Sequence, residues 1–206
     1  MRKIIAFVFA LILCFSGCSN QEKSEVKLLS SEEIEFFNEM FYPQYFDEET
    51  NSYKTNLING FFLSYYDDVR NMNFSEFLKY FPAEEVTDEK EFEALIKVEV
   101  WGFNNVKTLE NMPVPVRRIS AEKVDEVLKE YAEIKAKDLD TSAVPYLKKY
   151  KAYYNSTSDY GPGMFICISG EKEGDMIYLY SENAKLTLIE KDGKYKIIAH
   201  QRTSIY

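Results

Sequence analysis

Three polarity regimes follow one another along the chain. Ile4 to Phe15 is wholly apolar, Cys18 to about Leu29 is mostly polar, and from Ser30 onward apolar residues recur with a period. That period is first helical and then, in the last third, alternating. In SSEEIEFFNEMF, Ser30 followed by Glu33 has the spacing of a capping box, and Ile34, Phe37 and Phe41 share one helical face. SAEKVDEVLKEYAEI is cleaner: Ser120 caps, Val124, Val127, Leu128, Tyr131 and Ile134 trace one face, and Glu, Lys and Asp fill the other. NFSEFLKYF (73–81) and TDEKEFEALIKV (87–98) read as shorter helices, each with a cap and an apolar side. The first two-thirds is therefore expected to be mainly helical, interrupted by a strand-like PVPVRRIS.

In AKLTLIEKDGKYKIIAHQR, Asp192-Gly193 suits a two-residue type I′ turn, because both positions tolerate positive φ. The turn sets a register. Lys191 faces Lys194, Leu188 meets Ile197 and Leu186 meets Ala199, while on the other face Thr187 meets Ile198 and Lys185 meets His200. GMFICISGE and DMIYLYS, separated around Glu173-Gly174, extend the hairpin to a four-stranded antiparallel meander. The expected class is α+β, with N-terminal helices packed on a C-terminal β-meander in a single domain over 30–206. This order of elements is similar to the cone-shaped folds of the nuclear transport factor type, a likeness of architecture that carries no function.

The apolar run at the start changes the picture of where the domain works. It follows Arg2 and Lys3 and is twelve residues long, against the ~20 a membrane-spanning helix needs. A basic start, an apolar centre and small residues make a secretory signal over 1–17. Phe15-Ser16-Gly17-Cys18 resembles the lipobox of bacterial lipoproteins, with Phe in place of the usual Leu. The resemblance implies cleavage between Gly17 and Cys18, transfer of a diacylglycerol to the Cys18 thiol, and a new amino terminus that can be acylated. Two or three acyl chains such as palmitate, at roughly 0.8 kcal/mol per buried methylene, hold a protein on a membrane far longer than one chain does. Residues 18–29 then form a polar tether to the extracytoplasmic face of the cell membrane. With FFLSYYDD, MPVPV and YYNSTSDYGPG, the lipobox also resembles uncharacterised surface lipoproteins of Gram-positive bacteria, a likeness that implies a location and no activity.

Charge narrows the partners. The chain carries 34 acidic and 25 basic residues for a formal charge of −9, and loss of Arg2 and Lys3 with the signal takes it to −11. Nucleic acid and polybasic membrane docking are excluded as expectations, so attachment falls to the lipid on Cys18. Cys14 leaves with the signal, and Cys167 then has no partner for a disulfide. Alternation in MFICISG puts Phe165, Cys167 and Ser169 on one side and Met164, Ile166 and Ile168 on the other, which favours a buried, inert thiol.

Searching for chemistry returns no G-x-S-x-G, H-E-x-x-H, C-x-x-C or P-loop, and one histidine, His200. Asp47, Glu49 and Asn51 imitate the start of a calcium loop, but Ser52 stands where glycine is needed and Ile58 where the bidentate Glu belongs. No cofactor, metal or catalytic residue is expected. Asp67 and Asp68 read as solvated surface. Aromatic density stands out, with 16 Tyr and 15 Phe. Tyrosine joins an apolar ring to a polar tip, which suits sugars, peptides and partner surfaces. Tyr150, Tyr153, Tyr154, Asp159, Tyr160 and His200 are the candidate ligand-binding residues. The tyrosine-rich segment has a period that fits either helix or strand. The Gly161-Pro162-Gly163 loop beside it is read either as a pocket rim or, preferably, as a turn into the next strand. The expected function is a membrane-anchored, non-catalytic module that binds a glycan, peptide or protein. The alternative is an extracytoplasmic hydrolase using carboxylates and His200, whose pKa neighbouring cations such as Lys185 would lower.

Overall fold

A computed structural model describes residues 25–156, 161 and 163–203. Gly17, Cys18, Asp159 and Tyr160 lie outside the described residues, so the sequence that resembles a lipobox and two of the candidate ligand-binding residues are not placed.

The fold is α+β. Its first element departs from expectation: β1 (Val26–Leu28) falls within the segment read as tether. It pairs antiparallel along residues 171–173, so the domain begins a few residues earlier than the polarity change suggests. All three side chains of β1 are exposed, which is why composition alone reads them as linker. Helix α1 (Ser31–Met40) starts at the expected capping box: the Glu33 amide donates to Ser30 Oγ at 3.2 Å and the Ser30 amide to Glu33 Oε2 at 2.7 Å. It buries Phe37 and delivers Phe41 into the core just past its end.

The middle of the chain is less helical than its sequence suggests. A hairpin of β2 (Gln44–Asp47) and β3 (Ser52–Thr55) precedes two 3₁₀ turns, Leu57–Phe62 and Val69–Asn71. Then come α2 (Phe74–Leu78), β4 (Glu84–Glu85), α3 (Glu89–Leu95), β5 (Arg117–Ser120), α4 (Ala121–Ala132), β6 (Tyr146–Leu147) and β7 (Ala152–Asn155). Strands β4, β5, β7 and β6 form a second antiparallel sheet in that order. Two of its strands are only two residues long, too short to leave a period in the sequence. The sheet is a wall between two cores. On β7 the alternation sends Tyr153 into the large core and Ala152 and Tyr154 into a small one with Phe92, Leu95, Trp101 and Val116. A tyrosine run buried on both faces loses the polar–apolar alternation that would have marked it as strand.

Helix α4 follows β5 without a gap. Ser120 Oγ accepts from the Lys123 amide, and Val124, Val127 and Leu128 are buried as expected. Its far end closes on Glu133 in the left-handed region (φ 58°), where glycine is commoner. The buried Lys196 ammonium donates to the Glu130 carbonyl there, satisfying a C-terminal acceptor with a cation placed to suit the helix dipole.

The last third is the expected meander: β8 (Ser169–Glu173), β9 (Met176–Tyr180), β10 (Ala184–Lys191) and β11 (Lys194–Arg202), with β1 added at the edge beside β8. Asp192 (φ 51°) and Gly193 (φ 72°) both adopt the positive φ of a type I′ turn. Lys191 faces Lys194 and Leu188 faces Ile197, as the turn requires. Beyond that point the expected register fails. Thr187 faces Ala199, leaving Ile198 as an extra residue in β11, and the bulge turns the rest of the strand over. Leu186 therefore meets His200, and Lys185 meets Gln201. Ile177, Leu179, Leu186, Leu188 and Ile197, each at most 2 % exposed, fill the core beside the sheet. The architecture establishes the α+β class.

Ahead of β8, Phe165 and Cys167 are buried while Met164, Ile166 and Ile168 are exposed, as the alternation predicts; Ser169 is exposed and departs from it. This segment is held by a side chain. Asn38 of α1 accepts from the Cys167 amide at 2.7 Å and donates to the Cys167 carbonyl at 3.0 Å, as a neighbouring strand would. The Cys167 thiol is the one free cysteine among the described residues, and burial raises its pKa. Native protein should react with a thiol reagent only after denaturation. Asn38→Ala leaves the Cys167 amide and carbonyl unpaired and is expected to cost about 2 kcal/mol. It should make Cys167 reactive in the native state; an Asn38→Ala protein with wild-type stability and a silent thiol would refute the clamp.

Candidate functional site

The described candidate residues, Tyr150, Tyr153, Tyr154 and His200, do not converge. Tyr153 is core, edge-on to Phe74 at 5.0 Å. Tyr154 is 1 % exposed and donates its hydroxyl to Glu91 Oε1 at 2.6 Å. Tyr150 reaches a surface groove beside the second sheet, whereas His200 lies on the five-stranded sheet.

His200 is enclosed by aromatic rings. It stacks on Tyr65 with ring centroids 4.8 Å apart and meets Phe62, Phe165 and Tyr66 edge-on. Its backbone exchanges both hydrogen bonds with Tyr66. Nδ1 lies 2.8 Å from the Ser64 carbonyl; a carbonyl only accepts, so Nδ1 carries the proton. The expected cationic surroundings are a correction: the bulge takes His200 away from Lys185, and the Arg202 guanidinium sits over the Tyr65 ring instead. Its pKa is still lowered, but by burial, with the Ser64 carbonyl pulling the other way. The Ser64 carbonyl supplies the orienting acceptor a base would need. Aromatic rings surround the imidazole, so the residue packs the 57–66 segment against β11.

Acidic candidates are also engaged. Hydrogen bonds from Lys54, then from Thr50, hold the Asp47 carboxyl down at about 2, and the imitation calcium loop is the tip of the β2–β3 hairpin. Asp68 caps the Val69–Asn71 turn and pairs with Arg70, which brings its pKa to about 2, while Asp67 accepts from Asn71.

The surface feature with convergent chemistry is a groove of about 830 Å³ between the second sheet and the start of α4. Local structure builds it. The turn after β6 returns its Lys151 carbonyl to the Ala121 amide at 3.0 Å, satisfying one of the orphan donors at the start of α4. Tyr146, Lys148, Tyr150 and Lys151 line the groove, Tyr146 from its pairing with Tyr153 in β7 and the others from the turn that follows. Lys151 adopts φ 48°, a left-handed turn position that lysine seldom takes. Arg118, Glu84, Glu122 and Asp125 add charge on the other side.

Arg118 reaches the groove from a buried network. Its Nη1 donates to Glu91 Oε2 at 3.2 Å, and the other Glu91 oxygen accepts from Tyr154. Nη2 pairs with Glu84, whose side chain is 75 % exposed. Burial first, and then the bond to Glu91, raise the Tyr154 pKa far above its ordinary value, so it remains a neutral donor. Glu91 is 2 % exposed, and a buried carboxylate needs such partners. Sequence reasoning found Tyr150 and missed Arg118, Glu84, Glu91 and Tyr146. The available signal was YLKKYK, a basic and aromatic run in an acidic chain.

Comparison with protein-family models, with curated proteins and with solved structures finds no match.

The single histidine gives a clean test of the enclosure. The folded pKa lies below the ordinary 6.5, so on acidification the unfolded chain takes the proton first. Stability is fully present above pH 6.5 and falls below it, by at most about 1.4 kcal/mol per pH unit for one proton. Carboxylates such as Asp47 and Asp68 act only at lower pH. The urea midpoint should decline between pH 6.5 and 5 in the wild type and stay level over that window in His200→Gln, which is itself less stable at pH 7.5 by about 1–2 kcal/mol. A wild-type midpoint that is flat across the window would show that the imidazole titrates freely.

Proposed function

We propose that the chain is an extracytoplasmic lipoprotein, anchored by lipid on Cys18, whose domain binds a glycan, peptide or protein in the groove beside α4. The observation that carries the binding half is the groove itself, where two tyrosines and several charged side chains share one concave surface. The anchoring half rests on Phe15-Ser16-Gly17-Cys18 and on charge: a domain at −11 is repelled by anionic headgroups and needs a covalent anchor. Seven residues separate Cys18 from Val26, a reach of at most about 27 Å, so the groove works close to its membrane. The hydrolase reading is weakened by the use of His200 as a packed ring on the Ser64 carbonyl.

Cys18→Ser should abolish metabolic labelling with palmitate and move the protein out of the membrane fraction; unchanged partition would remove the lipoprotein reading. The double variant Tyr146→Ala, Tyr150→Ala should melt within a few degrees of wild type and lose at least tenfold in retention on whichever immobilised glycan or peptide the wild type binds. Full retention by the double variant would mean that the binding face lies elsewhere.

A further inference from the structure

We infer, on the reading that Cys18 carries the lipid anchor, that the side of the five-stranded sheet turned away from α1 is a lipid-facing surface, laid against the bilayer that holds the anchor. A row of exposed aliphatic side chains points to it. Val26, Leu28, Met164, Ile166 and Ile168 are each between 53 % and 76 % exposed. Apolar residues scattered singly on a surface need no explanation, whereas a contiguous row is unfavourable in water and marks a contact.

Backbone geometry puts them on one side of the sheet. Leu29 donates its amide to the Gly170 carbonyl at 2.9 Å and packs on the large core, so Leu28, and Val26 two residues before it, point the other way. Gly170 permits that approach, since a Cβ there would lie 2.6 Å from Leu29 Cδ1. Phe165 and Cys167 belong to the same core, which turns Ile166 outward. Ile168 and Ser169 both stand opposite Tyr180, the Ile168 amide donating to the Tyr180 carbonyl at 2.8 Å. This bulge keeps Ile168 and Ser169 together on the outer side and accounts for the exposure of Ser169. Cross-strand register continues the face. Leu28 meets Glu171 and Glu171 meets Tyr178, while Val26 meets Glu173 and Glu173 meets Met176. Lys185, opposite Tyr180, holds its ammonium over the Tyr178 and Tyr180 rings, 4.2 and 5.8 Å from their centroids. Aliphatic side chains flanked by tyrosine and lysine suit the boundary of lipid and water, where rings and stems enter the apolar layer and polar tips stay at headgroup level.

The chain that precedes the domain decides the occupant. Seven residues separate Cys18 from Val26, a reach of at most about 27 Å, and they join the domain on β1, at one end of this row. A bilayer held that closely is met by every copy at high effective concentration, whereas a second copy is met only at whatever density the membrane carries. Charge selects the lipid. Register places the acids Glu171 and Glu173 on this side with Lys185, and the chain as a whole is strongly acidic, so neutral headgroups fit and anionic ones do not. One Glu171 oxygen accepts from the Tyr180 hydroxyl at 2.7 Å, which ties that carboxylate into the face. The acyl chains then supply attachment, and this face sets the orientation of the domain.

The test uses the full lipidated protein on phosphatidylcholine vesicles that contain spin-labelled phosphatidylcholine. A thiol-linked fluorophore is placed by Ile168→Cys on the proposed face or, as the control, by Glu32→Cys on α1, which lies near β1 but on the other side of the sheet. Cys167 is buried, and the unsubstituted protein serves as the labelling blank. The spin label should quench the Ile168 probe at least twofold more than the Glu32 probe. Leu28→Glu with Ile166→Glu, both at exposed positions, should erase that difference while melting temperature and vesicle association stay unchanged, because the acyl chains still hold the protein. Equal quenching at the two positions without those substitutions would overturn the lipid-facing assignment and leave the anchor standing. A difference that survives Leu28→Glu with Ile166→Glu would overturn the apolar row as its cause. Self-quenching of the Ile168 probe that grows with protein density, in place of quenching by lipid, would assign the face to a second copy and overturn the bilayer. Mass spectrometry of Cys18 separates the remaining case: a protein without lipid there ends the anchoring reading and takes this inference with it.

Discussion

Burial of one aromatic seam against the β10–β11 ribbon holds most of the molecule together. Helices α2 and α3 are five and seven residues long, and segments of that length do not persist in water on propensity alone. Phe37, Phe41, Phe62 and Phe165 link ring to ring, Phe61 and Phe77 form a second edge-on pair, and the same cluster takes in Leu186, Leu188 and Ile197 of the sheet. The ribbon itself is fixed by a two-residue turn, so long-range contacts to it are made on a surface that local chemistry can form early.

Polar groups that join this seam act as clamps between segments far apart in sequence. Asn38 joins α1 to Cys167, the Tyr66–His200 backbone pair joins the 57–66 segment to β11, and Lys196 joins β11 to the end of α4. Each satisfies a backbone or buried group that burial would otherwise penalise. The small core repeats the logic with a charge: Glu91 is tolerated because Tyr154 and Arg118 both bond to it. That arrangement holds one side of the Arg118 guanidinium from inside, while its outer nitrogen pairs with the exposed Glu84 at the edge of the groove.

Binding and anchoring occupy different parts of the chain in this picture. The proposed anchor rests on four consecutive residues, Phe15 to Cys18, and that resemblance does not depend on the fold. The groove is a tertiary feature, lined by elements far apart in sequence that include the turn whose Lys151 carbonyl accepts from the first amide of α4.

What the sequence determined by itself were features whose causes are local. The capping box at Ser30 and Glu33, the Ser120 cap, the apolar stripe of α4 and the Asp192-Gly193 turn all rest on interactions within four residues, and the α+β class follows from two clean periods. The tertiary structure decided the rest. One extra residue at Ile198 reversed the faces of the last strand and took His200 from a cationic surface into an aromatic cage, and no local preference announces a bulge. Tyr153 and Tyr154 became core because a second sheet, made partly of two-residue strands, separates two apolar clusters that composition cannot distinguish. Of the four candidate ligand-binding residues among the described residues only Tyr150 reaches the groove, because the site is assembled from β4, β5, α4 and the turn after β6, which the chain visits up to sixty-odd residues apart. Periodicity reports which side of an element is apolar; it does not report which element lies opposite, and a groove is a relation between elements.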